Sequence, residues 1–221
     1  MSEYHNTKAE DRVPLGQKLA VGAGGFPIQN GGLIVQYMAQ PIFQIFLGLN
    51  PALFGLAMTI PRIWDAFTDP VMGRISDRTQ SRYGRRRPYV FVGALAVALT
   101  FLTIWMVPQS MGDTGTFLWL TIGSVLFFTA FTVFSVPFNA LVYEQTPDYH
   151  ERTRLMFYLA LFYNIGNLCV NWYVPATNWS GFENPLVGAR WIALGLALVV
   201  FLGMGIVPAM FGKERFYEVE Q

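Results

Sequence analysis

The chain has very few residues of the kinds that carry most enzyme and metal chemistry. It contains one cysteine, Cys169, and two histidines, His5 and His150, among 221 residues. A single cysteine excludes a disulfide or a cysteine-ligated metal site within one chain, and both histidines lie outside the apolar segments. No glycine-rich loop leads into Lys-Ser or Lys-Thr, as a phosphate-binding loop requires. We therefore expect no enzyme, no organic cofactor and no nucleic-acid partner.

Charged residues are also scarce, and apolar residues occur in six long blocks. Charged residues make up 13% of the chain and hydrophobic residues 53%, whereas a soluble domain has about 25% charged residues. Each block is long enough for the roughly 20 helical residues that cross a bilayer. The sequence predicts an all-α integral membrane protein, with a bundle at 19–211 between cytoplasmic tails at 1–18 and 212–221 and no removable signal peptide. The six predicted transmembrane helices cover about residues 19–47, 52–73, 89–107, 116–141, 155–177 and 188–211.

The basic residues are concentrated on one side of the predicted bundle. Thirteen of the 15 lie in the two tails or in the loops after the second and fourth spans, whereas residues 48–51, 108–114 and 178–188 contain no Lys or Arg. By the positive-inside rule we expect both termini to be cytoplasmic, in a bacterial inner (plasma) membrane. Six arginines in the loop after the second span indicate either an anionic partner or, as the favoured alternative, an orientation signal that contacts lipid phosphates.

Three ionisable residues, Arg62, Asp65 and Asp69, interrupt the second apolar block. A charge at bilayer depth costs several kcal/mol, so it persists only beside a partner or in a wet cavity. Spacings of three and four residues place all three side chains on one helical face, with Thr68 at its edge. Two carboxylates and one guanidinium leave a net negative charge, which suits a monovalent cation or a proton.

Two prolines in the same block support a cation site. Pro61 and Pro70 lack an amide hydrogen, so each leaves the carbonyl four residues earlier without its helical donor. Carboxylate and carbonyl oxygens are hard ligands that suit sodium, and we expect Na+ or H+ at Asp65 and Asp69. The alternative is structural: Arg62 and Asp65 neutralise each other, and Asp69 lies at the cytoplasmic margin. That alternative leaves one carboxylate and both prolines unexplained.

Uncharged polar residues form stripes on other predicted spans. Glutamines share one face of the first span and asparagines share one face of the fifth. Amides that face lipid cost free energy, so both stripes should point into the bundle or a cavity. Helix packing explains any single residue equally well, but the whole set favours a central cavity for a small organic solute. The set consists of Gln29, Gln36, Gln40, Gln44, Thr132, Ser135, Asn139, Asn164, Asn167 and Asn171.

The second span and its loop carry a specific resemblance. The runs RIWDAFTDPVMGRISDRT at 62–79 and SRYGRRRP at 81–88 resemble the second helix and following loop of the glycoside–pentoside–hexuronide:cation symporter family, the family of the melibiose permease. KLAVGAG at 18–24 and VPFNAL at 136–141 are similar to it as well. That family is a branch of the major facilitator superfamily. We assign a conformational role to Arg62 and to the superfamily loop motif, which matches Gly73, Asp77, Arg78, Gly84, Arg85 and Arg86.

The resemblance implies a coupling-cation site for Na+ or H+. In the family, the two aspartates of the second helix form it with the polar residue before the second aspartate. These positions are Asp65, Asp69 and Thr68 here, and a fourth-helix threonine that joins them matches Thr132. This agrees with the cation site that the charges and prolines predict.

The resemblance also implies that charged sugar-binding groups are missing. Family positions that carry two aspartates and an arginine fall at Gln29, Ser135 and Ala160 in this chain. Neutral amides and aromatic side chains suit a glycoside bound without charged groups, or a less polar solute.

Family members have two six-helix bundles, with the solute and ion between them. This sequence matches the N-terminal bundle and ends at Gln221, just after the sixth predicted span. We expect half of a cation-coupled transporter for a sugar, glycoside or other small organic solute, working by alternating access. Its partner is either a separate C-terminal-half chain or a second copy. Two alternatives stay open: a non-transporting six-span scaffold or sensor, and a fragment of a full-length symporter.

Overall fold

A computed structural model describes Lys8 and residues 11–212, so half of the predicted N-terminal tail and residues 213–221 of the C-terminal tail lie outside the described residues. Regular structure in the described part is entirely helical. It includes two π-helical segments. The first, Gln40–Phe46, follows α2, and the second, Ala197–Met204, joins α7 to α8. The α-helices are α1 (Leu15–Ala23), α2 (Gly25–Ala39), α3 (Pro51–Arg78), α4 (Arg87–Trp105), α5 (Asp113–Tyr143), α6 (Tyr149–Thr177), α7 (Pro185–Leu196) and α8 (Gly205–Phe211).

The helices form six units, which confirms the six helices that the sequence predicts. The first unit is α1, α2 and the first π-helical segment; the last is α7, the second π-helical segment and α8. The first unit begins at Leu15, four residues before the predicted span, and α3 continues to Arg78, five residues beyond its predicted span. Within the described residues, α4, α5 and the α7–α8 unit have both the length and the apolar composition to cross a bilayer. Among the other three units, α3 holds Arg62, Asp65 and Asp69, and the first unit and α6 hold the amide stripes.

Helix α5 is one of the two most extensively packed helices of the bundle. It packs against α4 on one side and α3 on the other, while α6 packs against α1 and α2. Helix α8 contacts both α4 and α1 and so closes the arrangement. Rings of Phe101, Phe127 and Phe201 meet in the core, with centroids 5.3–6.2 Å apart. Because lipid is as apolar as these side chains, close packing rather than water exclusion holds the helices together.

Gly93 lets α4 and α5 approach closely. A Cβ atom on Gly93 would lie 2.7 Å from the backbone nitrogen and Cα of Phe134. Backbone atoms cannot yield to a methyl group as the end of a flexible side chain can. The contact therefore depends on glycine at this position, as in other membrane helix pairs that pack through small residues.

Arg190 caps the outer end of α4. Its Nε and Nη2 atoms donate to the carbonyls of Trp105 and Val107 at 3.1 and 2.9 Å. These carbonyls lie at the last residue of α4 and two residues beyond it, where helical donors are missing. The outer loops contain no Lys or Arg, and the basic residue nearest to them thus satisfies backbone oxygens and joins α7 to α4.

Glu151, a buried carboxylate near the start of α6, holds the start of the first unit at the predicted cytoplasmic end. Glu151 is 1% exposed and accepts from Val13 N at 3.0 Å and Lys18 Nζ at 2.6 Å. It lies four residues before the predicted span at 155–177. Burial raises the pKa of Glu151, but hydrogen bonds from Lys18, Val13 and Arg154 outweigh burial and hold the pKa below its usual value of 4.5.

We expect Gly93→Ala to destabilise the bundle. Overpacking a tight contact costs about 1–3 kcal/mol, so the thermal unfolding midpoint in detergent should fall by several degrees. Gly195→Ala is the matched control, since no atom lies within 4 Å of a Cβ built there. Equal midpoints for the two variants would show that the α4–α5 contact tolerates a methyl group.

Glu151 should make stability pH-dependent. Because its pKa is lower in the folded protein, its contribution is complete above pH 4.5 and is lost as the pH falls through the folded-state pKa. Glu151→Gln should therefore lower the thermal unfolding midpoint at pH 7. On acidification, the midpoint of this variant should fall by less than the midpoint of the wild type. Glu183→Gln, in the loop before α7, is the control. A Glu151→Gln profile that parallels the wild type at every pH would contradict this role.

Candidate functional site

Arg62 of α3 bridges three helices. Its Nη2 atom donates to the Gly32 carbonyl of α2 at 3.2 Å, and its guanidinium carbon lies 4.9 Å from the ring centroid of Phe128 on α5. Among the ion pairs within residues 11–212, none joins Arg62 to Asp65. The described part of the chain therefore contains no direct Arg62–Asp65 contact, and mutual neutralisation of the two charges stays the structural alternative.

Asp69 is tied directly to α5. Thr132 Oγ1 donates to Asp69 Oδ1 at 2.8 Å, and Thr132 is buried. Thr68 Oγ1 lies 3.3 and 3.4 Å from the carbonyls of Trp64 and Asp65. Both threonine hydroxyls thus use their proton within the protein and keep oxygen lone pairs for a further partner. The structure brings Asp69 and Thr132 into contact and places Thr68 beside them on α3.

Asp65 supplies an oxygen without a hydrogen-bond partner. Its Oδ1 atom is buried and accepts no hydrogen bond, one helical turn before Asp69. A buried carboxylate without a compensating partner is costly, whereas a bound cation or proton would satisfy it. This oxygen therefore fits the coupling cation that the sequence predicts.

The donor set determines which ions suit the site. Within the described residues no group of three or more His, Cys, Asp and Glu side chains is placed to hold a metal ion. Asp65 and Asp69 provide two carboxylates, and Thr68 and Thr132 provide hydroxyl oxygens. These are hard oxygen ligands with a charge of about −2 when both carboxylates are ionised. Na+ or a proton fits this set, whereas soft metals need nitrogen or sulfur ligands.

The glutamine stripe runs from α2 into the first π-helical segment, and the asparagine stripe lies on α6, which packs against α2. The Tyr173 hydroxyl of α6 donates to Asn30 Oδ1 of α2 at 2.7 Å. Asn164 and Asn171 donate to carbonyls of their own helix at 2.7 and 3.1 Å, which leaves their side-chain oxygens as acceptors. Gln29 and Gln44 are half-buried, whereas the remaining members of the two stripes are exposed: Gln36, Gln40, Asn164, Asn167 and Asn171.

A cavity of about 280 Å³ lies between α5 and α6. Asn139 and Ala160 line it, with Tyr143, Met156 and Tyr163 among the other lining residues. The structure thus places one predicted cavity residue beside the position where the resemblance implies an arginine. The other residues predicted for the substrate cavity do not line this cavity: Gln29, Gln36, Gln40, Ser135, Asn164 and Asn167.

The loop motif forms an ion cluster at the predicted cytoplasmic end. Arg86 is buried, and its Nη2 and Nη1 atoms contact Asp77 Oδ1 at 2.6 Å and Glu144 Oε1 at 2.8 Å. Arg85 Nη2 contacts the same Glu144 oxygen at 2.7 Å. The cluster joins the end of α3, the start of α4 and the end of α5. Gly84 has φ of +100°, a conformation that favours glycine.

Two members of the predicted motif lie outside this cluster. Arg78 ends α3 and is exposed. Gly73 lies against α5, where an added Cβ would sit 3.8 Å from Val136.

The sequence prediction missed several residues that complete these contacts. Glu144 and Glu151 each pair with basic residues, and Trp64 Nε1 donates to Thr129 Oγ1 at 2.9 Å between α3 and α5. The charges of Glu144 and Glu151 could have indicated these pairs, because both residues flank the loop between α5 and α6 on the arginine-rich side. No comparable signal pointed to the Trp64–Thr129 pair.

Sequence comparisons identify proteins of the same kind. An uncharacterised symporter of Synechocystis is 36% identical over 144 residues, which are 62% of this chain and 26% of that protein. A sodium-dependent lysophosphatidylcholine symporter of Danio rerio is 32% identical over 136 residues, 61% of this chain and 25% of that protein. An inner membrane symporter of Escherichia coli is 28% identical over 170 residues, 76% of this chain and 36% of that protein.

The chain spans no more than 36% of the length of each of these three relatives. The profile of a family described as MFS/sugar transport protein matches residues 20–219, which is nearly the whole chain. This agrees with the six-helix fold and with the resemblance that the second span carries. The chain belongs to the MFS/sugar transport family of the major facilitator superfamily, a family of membrane transporters and not of enzymes.

Proposed function

We propose that the chain is one six-helix half of a cation-coupled secondary transporter and that Asp65 and Asp69 bind the coupling cation. The observation that carries this proposal is the partnerless buried Oδ1 of Asp65, one turn from an Asp69 already held by Thr132. A cation between the two carboxylates would satisfy Asp65 and reduce the repulsion between like charges. Thr68 and Thr132 supply the neighbouring hydroxyl oxygens.

A second six-helix bundle completes the transporter in this proposal. Asp69, Arg62, Gln36, Gln40 and Asn167 are exposed on this bundle although they belong to segments at membrane depth. Polar groups that face lipid cost free energy, so another protein surface or a solvated cavity should cover them. The same reasoning applies whether the second bundle is a separate chain, a second copy or the continuation of a longer chain.

Coupling follows from the charge of the site. With the cation bound, the negative charge on α3 is reduced, which changes the relative free energies of the conformations open to each side of the membrane. The solute binds beside the occupied site, and the two bundles rock around it. The cluster of Asp77, Arg86 and Glu144 moves as one body because it links α3, α4 and α5 at one end.

The solute is a small organic molecule that is recognised without a charged clamp. Gln29, Ser135 and Ala160 are neutral at the positions where the resemblance implies charged sugar-binding groups. The α5–α6 cavity offers Asn139 and two tyrosines beside apolar side chains. Related proteins are named for sugar transport and for lysophosphatidylcholine, and both a glycoside and an amphipathic solute match this lining.

Asp65→Asn should abolish cation binding without unfolding the protein. The amide keeps the shape of the carboxylate but removes the charge that holds the ion. Binding of ²²Na+ to the purified protein at pH 8 and proton release on adding Na+ are the two measurements. Asp113→Asn, an exposed carboxylate at the outer start of α5, is the matched control and should behave as the wild type does. Wild-type Na+ binding and proton release by a folded Asp65→Asn protein would contradict the site.

A further inference from the structure

A groove separate from the proposed cation site lies at the predicted cytoplasmic end. It has a volume of about 530 Å³ and runs between the start of α4 and the end of α8. This is within the roughly 300–1,000 Å³ range of small-molecule sites. Its walls include Tyr83, Arg87, Pro88, Phe91, Val92 and Met210.

The groove continues into an apolar stripe on α4. Phe91, Val92, Leu95 and Leu99 follow one another along this helix and are 41%, 57%, 38% and 66% exposed. Helix α4 is one of the helices with the length and composition of a membrane span. Exposed apolar side chains on such a helix face hydrocarbon, so the stripe provides a path from the groove into the membrane interior.

Arg87 gives the groove a fixed polar wall. Its Nε donates to the Ala209 carbonyl at 2.7 Å and its Nη2 donates to the Met210 carbonyl at 2.9 Å. Both carbonyls belong to the last turn of α8, where helical donors are missing. The guanidinium therefore joins α4 to α8 and is held at the edge of the groove.

Arg82 adds a second cationic group at the rim. Its guanidinium carbon lies 4.6 Å from the ring centroid of Tyr83, a groove residue. Stacking of this kind uses the face of the guanidinium, and its N–H donors lie along the edge. An arginine edge is well suited to contact phosphate oxygens.

We propose that this groove binds an anionic glycerophospholipid of the cytoplasmic leaflet. The phosphate contacts Arg82 at the rim, and an acyl chain lies over Phe91 and Val92 and continues along Leu95 and Leu99. The ligand must be amphipathic because one end of the site is cationic and the other is apolar. It must also come from the membrane, because the apolar path leads along the exposed face of a membrane-crossing helix. The proposal does not depend on the cation site or on a transported solute.

Native mass spectrometry of the purified 221-residue protein in detergent tests the site. Dioleoylphosphatidylglycerol and dioleoylphosphatidylcholine are titrated separately, and the dissociation constant of the first bound lipid is measured. We expect phosphatidylglycerol to bind at least fivefold more tightly. Arg82→Gln should weaken phosphatidylglycerol binding about fivefold, since one basic group near a membrane surface contributes about 1 kcal/mol, and should leave phosphatidylcholine binding unchanged.

Two further variants separate this site from general charge attraction. Arg74→Gln removes an exposed arginine of α3 that does not line the groove, and its lipid affinities should equal those of the wild type. Val92→Trp narrows the apolar part of the groove and leaves Arg82 unchanged. This variant should bind phosphatidylglycerol more weakly than the wild type does. Equal wild-type affinities for the two lipids, or equal losses for Arg82→Gln and Arg74→Gln, would overturn the proposal. So would undiminished binding to Val92→Trp.

Discussion

The predicted placement of Asp65 and Asp69 at membrane depth is the constraint on which the rest of this structure depends, because a charge at that depth is costly. One Asp69 oxygen accepts a hydrogen bond from buried Thr132, whereas Asp65 Oδ1 has no hydrogen-bond partner. The neighbouring guanidinium of Arg62 binds a backbone carbonyl instead of either carboxylate. In the proposed coupling, the net negative charge on α3 attracts the cation, so the charge that is costly to place in a membrane also provides the binding energy.

The remaining contacts hold α3 in the position that this site needs. The Thr132 bond requires α5 beside α3, and α5 is fixed in turn by the close approach of Phe134 to Gly93 of α4. At the predicted cytoplasmic end, Arg86 joins Asp77 to Glu144, so α3, α4 and α5 meet again. Glu151 ties the start of the first unit to α6 through Val13 and Lys18. Polar contacts and close helix packing together thus set the bundle geometry.

The parts that sequence could predict depend on spacing along one chain segment. Apolar block lengths predicted the six helical units, and intervals of three and four residues placed Arg62, Asp65 and Asp69 on one face. The Asp69–Thr132 contact joins residues 63 positions apart, so only the family resemblance suggested it. Glu144 was not anticipated because its partners depend on how two loops meet. The two π-helical segments were not predicted from the sequence.

The central claim is that the polar face of this bundle is covered by a second six-helix bundle. Native mass spectrometry of the protein isolated from its own cells in mild detergent, with identification of every polypeptide, tests this claim most directly. The account predicts a particle with two six-helix bundles, whether they belong to one longer chain, two different chains or two copies. A stable particle that contains only the 24.9 kDa bundle would contradict it and would favour a scaffold or sensor that transports nothing.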